Sequence, residues 1–213
     1  MNYLVDGTYY DVIIERKNNK NLYIRVTEDL KIKVSCNKLY TKFMIKSILK
    51  ENDNAIRKML NKQIKANNLK KEERYSLLGN KINVYYKDVK KPLFKDNILY
   101  VKDDNMLDRW YKKKALELFK IYLDEAYYVF DEDIPYPILK VRNMKTRWGV
   151  CNKKDNSVTL NLQLIKKDVR YLNYVIVHEL SHFVHFNHSK AFWNTVEKYC
   201  PEYKKVRKEL KEW

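Results

Sequence analysis

The sequence predicts an α+β protein, with an N-terminal β-rich lobe and a helical insertion over residues 1–102, then a lobe over residues 103–213 that sets a small sheet against helices. Three observations predict this. Short runs of alternating apolar and polar residues recur before residue 102, apolar residues repeat at helical spacing from Leu107 to Phe130, and an apolar helical run from Asp168 to Phe186 carries a cluster of polar groups. At 213 residues the chain is long enough for one sizeable core or two lobes, and too short for several independent domains. With 45% hydrophobic, 33% charged and 14% aromatic residues, its composition is that of a folded protein.

Tyr9 to Ile14 reads as a first strand. Leu22, Ile24 and Val26 alternate with Tyr23, Arg25 and Thr27, a polar turn follows at Glu28-Asp29, and Leu30, Ile32 and Val34 alternate with lysines, the pattern of a half-buried hairpin. Phe43, Ile45, Ile48, Leu49, Ile56, Leu60 and Ile64 then recur at helical spacing behind Thr41 as N-cap, giving one helix or two in tandem. Tyr75 to Leu78, the turn Gly79-Asn80 and Ile82 to Tyr86 read as a second hairpin, with Ile98 to Val101 as a further strand.

Asp103 or Asp104 caps the next helix. Its stripe, from Leu107, Trp110 and Tyr111 through Leu118, Phe119, Tyr122 and Leu123 to Ala126, Tyr127 and Phe130, buries a wide face, and it ends before Pro135 and Pro137. Strands follow at Ile138 to Val141 and Val158 to Leu164. In the second, Val158, Leu160, Leu162 and Leu164 alternate with Thr159, Asn161 and Gln163, which predicts one apolar and one polar face. Asp168 caps a helix running to about Phe186, and a last helical stretch from Lys190 to Leu210 is interrupted at Pro201.

Met1 to Lys20 carries Asp6 and no apolar h-region, and no stretch approaches the ~20 uncharged residues of a membrane span, so a cytoplasmic protein with no membrane contact is expected. Cys36, Cys151 and Cys200 are odd in number and widely scattered, as reduced thiols are. The net charge of +17 attracts polyanions without identifying one. Because it is mostly lysine, a hydrated point charge, and is spread along the whole chain, only weak, sequence-independent nucleic-acid binding is expected from it.

All four histidines lie between positions 178 and 188. His178-Glu179-Leu180-Ser181-His182 is H-E-x-x-H on a helix, where residues four apart are ~40° apart in azimuth and ~6 Å apart along the axis, so both imidazoles can converge on one ion. Glu179 points ~100° away from His178, poorly placed as a ligand but able to reach a water bound to that ion. A catalytic zinc site takes three protein ligands. His188 supplies the third if the chain turns back after the helix, a turn for which Asn187, tolerant of the left-handed conformation, is suited. Glu197 on the later helix and Cys151 on a separate segment are chemically competent rivals.

From Val141 onward the chain resembles the YgjP-like metallopeptidase family, relatives of the SprT-like zincins. The resemblance rests on Lys145-Thr146-Arg147-Trp148-Gly149-Val150-Cys151, on Asn161-Leu162, on Tyr174-Val175-Ile176-Val177 leading into His178 to His182, and on Asn187-His188-Ser189 with Phe192-Trp193. The family commonly has serine where this chain has Val150. The resemblance implies a minimal zincin-like catalytic lobe, one zinc ion on His178, His182 and His188, a catalytic Glu179, and a peptide or protein substrate. Arg147 is then a candidate to bind a substrate carboxylate or an oxyanion, or else to stack on Trp148 or close an ion pair.

The leading function is therefore zinc-dependent peptide hydrolysis, with the polar edge of residues 157–164 aligning an extended peptide and Asn161 and His185 as candidate substrate contacts. The metal is expected between the lobes or at the edge of the small sheet. Two other readings use the same residues. An activated water would also attack a nucleotide phosphoanhydride, although three glycines leave little material for a phosphate loop, and a fourth ligand such as His185 would make the zinc structural in a nucleic-acid-binding module.

Overall fold

Asp6 and Gly7 both take positive φ (49° and 80°), a tight turn that folds β1 (Asn2–Val5) back on β2 (Thr8–Arg16). The computed structural model describes residues 1–72 and 74–211 and divides into two units, Met1–Glu72 and Glu73–Lys211. In the first, β3 (Tyr23–Val26) and β4 (Ile32–Cys36) form the expected antiparallel hairpin, and β4 also pairs in parallel with β2, giving the order β1-β2-β4-β3. Two tandem helices, α1 (Lys42–Glu51) and α2 (Asp53–Glu72), supply Ile45, Leu49, Ile56 and Leu60 to the core formed with Val12, Ile32 and Val34. Thr41 caps α1, its hydroxyl accepting from the Met44 N–H at 3.2 Å.

The second unit begins with a two-residue ladder, β5 (Ser76–Leu77) and β6 (Asn80–Lys81), turned by Leu78 and Gly79, both at positive φ. The expected longer hairpin does not form. β7 (Asn83–Tyr86) instead pairs in parallel with β9 (Ile98–Val101), which β8 (Leu93–Lys95) joins from the other side. Helix α3 (Asp104–Val129) follows, capped by Asp103, and its buried face shares one core with Ile82, Leu99 and Val101. That shared core is why the units divide after Glu72 and not at residue 102, where the sequence changes character.

Strands β10 (Ile138–Arg142), β11 (Gly149–Asn152) and β12 (Ser157–Asn161) form a second three-stranded sheet in the order β10-β12-β11. The strand expected to reach Leu164 stops at Asn161, because the Asn161 side chain accepts from the Gln163 N–H and starts a 3-10 turn over Leu162–Lys166 that buries Leu164. β12 is thus a central strand, buried along both faces, and offers neither a polar face nor a free edge. Helices α4 (Val169–Val184), α5 (Lys190–Tyr199) and α6 (Tyr203–Leu210) complete the unit, with α4 capped by Asp168. Among the described residues no helix is long and apolar enough to cross a membrane.

Candidate metal centre

Helix α4 is apolar on most sides, with Leu172, Val175, Ile176, Val177 and Leu180 buried, so its polar residues are held in fixed directions by the packing. His178 and His182 fall on one side. The helix ends at His185, which leaves it in extended conformation (φ −116°, ψ 120°), and the chain returns through 186–188 to Ser189, the N-cap of α5. Asn187 is not among the residues at positive φ; the extended His185 makes the reversal that was expected of it.

The turn brings His188 over the helix. One ligand atom each from His178, His182 and His188 lies within 4.8 Å of the others, and Nε2 of His188 is 3.2 Å from Nε2 of His178. Zinc–nitrogen bonds of ~2.0–2.1 Å at tetrahedral angles separate donor atoms by about 3.3 Å, so the facing nitrogens are already near the required spacing. Phe192, fully buried on α5, abuts all three rings, with centroids 5.0, 4.6 and 4.8 Å from those of His178, His182 and His188. Trp193 stacks on His188 at 5.5 Å.

The protonation states suit a metal. Burial, then the neighbouring His182 and His188 rings, lowers the His178 pKa to about 3, and burial chiefly lowers that of His182, so both stay in the neutral form that ligates. Nδ1 of His178 is buried without a hydrogen-bond partner among the described residues, and the ring's other nitrogen faces the cluster. For His182 the tautomer follows from one contact, with the His185 carbonyl, and the His185 ring is itself held by Thr195. The Thr195 hydroxyl donates to the Ala191 carbonyl at 3.3 Å, so it accepts from His185 Nε2 at 3.0 Å. The His185 carbonyl in turn faces His182 Nδ1 at 3.3 Å, an N–H donor there, which leaves the His182 Nε2 lone pair for the ion.

Glu179, next to His178 on α4, packs against the edge strand β11 and is 5% exposed. Burial pushes its carboxyl up to about 8, opposed by the Cys151 N–H that bonds it and by the Arg147 guanidinium. Gly149 makes this approach possible, since a Cβ there would stand 2.7 Å from Cγ and 2.8 Å from Cδ of Glu179. The role of Gly149 and that of Phe192 are absent from the sequence reading, although a glycine inside a strand is the usual sign of a close approach.

The remaining candidates sort by position. Arg147 is exposed beside Glu179, and the cation over the Trp148 ring is Lys167, at 5.4 Å, rather than Arg147. Asn161 is 3% exposed, and its amide donates to the Met144 and Arg147 carbonyls, both at 2.8 Å, so it anchors the 144–147 loop instead of facing a substrate. His185 is tied to Thr195 in the same way. Glu197 lies outside the cluster and pairs with Lys204 at 3.1 Å. The Cys151 thiol is also outside it and, raised to about 12 by burial and then by Glu179, is a poor thiolate donor.

The sequence model of the family described as YgjP-like, metallopeptidase domain, matches residues 20–213. None of the curated proteins matches the chain. Among solved structures it is similar to the metallopeptidase zymogen of Pyrococcus abyssi abylysin, with 24% identity over 43% of this chain and 90% of that one at a TM-score of 0.40. It is similar also to the zymogen of Methanocaldococcus jannaschii jannalysin, with 24% identity over 43% of this chain and 96% of that one at a TM-score of 0.36.

Proposed function

Because this chain belongs to the YgjP-like metallopeptidase family, we propose that it hydrolyses peptide bonds with one zinc ion on His178, His182 and His188 and with Glu179 as general base. The observation that carries this reading is the convergence of three imidazoles within 4.8 Å on one side of α4 while the neighbouring residue holds a buried carboxyl. A bound zinc ion would supply a Lewis acid and bring the pKa of a ligated water towards ~7. The ligand count supports catalysis over a closed structural site, which takes four protein ligands, since the nearest fourth candidate, His185, is bound to Thr195.

Glu179 takes the proton from the attacking water and returns it to the leaving amine. The Cys151 N–H and the Arg147 guanidinium favour the carboxylate that takes the proton, and burial favours the carboxylic acid that exists between those two transfers. The Cys151 N–H fixes the carboxylate's direction. Arg147, exposed beside it, is placed to attract the carboxylate of a substrate or an oxyanion.

The surface for an extended substrate is β11 and not residues 157–164, since β12 lies between its two neighbours. With Trp148 and Asn161 joined by a ladder hydrogen bond at 2.9 Å, the antiparallel register turns the N–H and C=O of Gly149 and the C=O of Cys151 outward, while the Cys151 N–H is taken by Glu179. A peptide added along this edge would run beside Glu179.

Glu179→Gln tests the reading. The variant is expected to bind zinc like the parent and to lose about 10²–10⁴-fold in turnover of a peptide library. Parent activity on nucleotides alone, abolished by the same substitution, would replace the peptidase with a phosphoanhydride hydrolase; full activity of the variant would remove Glu179 as the base.

A further inference from the structure

Strands β7, β9 and β8 present one face to the core through Val84, Leu99, Val101 and Phe94, and the opposite face to solvent. The register puts Tyr85, Tyr100 and Leu93 in a single row across that outer face, 53%, 36% and 57% exposed. The two tyrosine rings stack, with centroids 5.7 Å apart and planes 29° from parallel. Lys95 lies on the same face one row along, opposite Ile98. At the other end of the row, Lys87 and Lys102 follow Tyr85 and Tyr100 by two positions, with the ladder continued by the Lys87 N–H to the Val101 carbonyl at 2.9 Å. Residues 81–102 contain six lysines against two aspartates, and among the described residues Lys102 pairs with Asp88 at 3.5 Å.

We infer that this sheet face is a binding platform for single-stranded nucleic acid, which stacks bases on Tyr85 and Tyr100 and sets its phosphates against Lys87, Lys95 and Lys102. Exposed aromatic rings flanked by cations at both ends match a polymer with alternating π-faces and phosphates. From the Lys95 row to the Lys87 row the sheet spans ~13 Å, at about 3.3 Å per residue, the reach of the sheets on which aromatics stack two or three bases. A duplex hides its base faces, so the tyrosines would add nothing to its binding. Lysine rather than arginine at the rim gives point-charge contacts to phosphate and no base reading, so the platform is sequence-tolerant. The tyrosines sit fifteen positions apart in the chain and only strand pairing makes them neighbours, which is why the overall charge suggests no such platform.

The test is fluorescence anisotropy of the full chain with a labelled oligothymidylate, a duplex of equal length and a polyglutamate peptide, across a range of salt concentrations. The single strand is expected to bind in the micromolar range and more tightly than either competitor. Tyr85→Ala and Tyr100→Ala should each weaken it about fivefold or more, while Tyr85→Phe retains it. Lys87→Ala should reduce the slope of log affinity against log salt by about one. Lys58→Glu and Lys62→Glu, on the exposed side of α2, serve as charge controls. Equal binding of strand, duplex and polyglutamate, or losses in the controls with none in the tyrosine variants, would overturn the platform and leave only the field of the net charge. Circular dichroism of each variant separates lost binding from lost fold, and peptidase turnover does not enter the readout.

Discussion

Gly149 and Glu179 are packed so closely that strand β11 and helix α4 approach each other only because residue 149 has no side chain. The glycine's φ is ordinary, so the requirement is for space and not for backbone freedom. Gly149→Ala is therefore expected to displace the carboxyl, with an overpacking cost of about 1–3 kcal/mol. Misplacing a catalytic group by ~1 Å costs about 10²-fold in rate. Turnover should fall by that order while zinc stoichiometry stays at the parent value; loss of zinc together with activity would show that the contact shapes the metal site instead.

Thr195→Val removes the acceptor that holds His185 and is expected to loosen the carbonyl that faces His182 Nδ1. Groups that orient metal-bound histidines are worth about 10–100-fold in metal affinity. Competition against a chelator of known affinity should show a loss of that size for Thr195→Val and recovery in Thr195→Ser. An unchanged affinity in Thr195→Val would mean that His182 is oriented without the chain of hydrogen bonds.

Adding zinc to chelator-treated protein should raise the thermal midpoint. At a hundredfold excess over Kd the stabilisation is ~2.7 kcal/mol, a rise of roughly 5–10 °C for a chain of this size. The rise should vanish in His188→Ala and persist in Glu197→Ala and Cys151→Ala. A rise that survives His188→Ala but not Glu197→Ala would move the third ligand to the later helix.

Asn161→Ala leaves the Met144 and Arg147 carbonyls without their shared donor and is expected to destabilise the second unit by about 2–3 kcal/mol in urea titration. Parent-like stability in this variant would show that the loop is held by other contacts.

The pairing of His178 and His182 was legible because helical spacing is a local rule: the two had to share a side of any helix through them, and Glu179 could not. Caps were legible for the same reason, at Thr41, Asp103 and Asp168. What escaped was set by pairing between distant segments. Asn83–Tyr86 alternates like the second arm of a hairpin, yet its partner is β9 in parallel, which no local pattern encodes. Alternation through Leu164 suggested a strand with a polar face, but sheet order made β12 central and the Asn161 side chain ended it. His185 looked free to meet a substrate because Thr195, ten residues on, becomes its neighbour only after the chain reverses.

The three candidate ligands differ in what holds them. His178 and His182 ride on a helix packed through its buried face, whereas His188 is exposed on the short segment between α4 and α5. For any ion held there, the helix pair is a permanent half-site and His188 a removable third arm. The ion's residence time is then governed by the opening of a few surface residues, with no need to disturb the core.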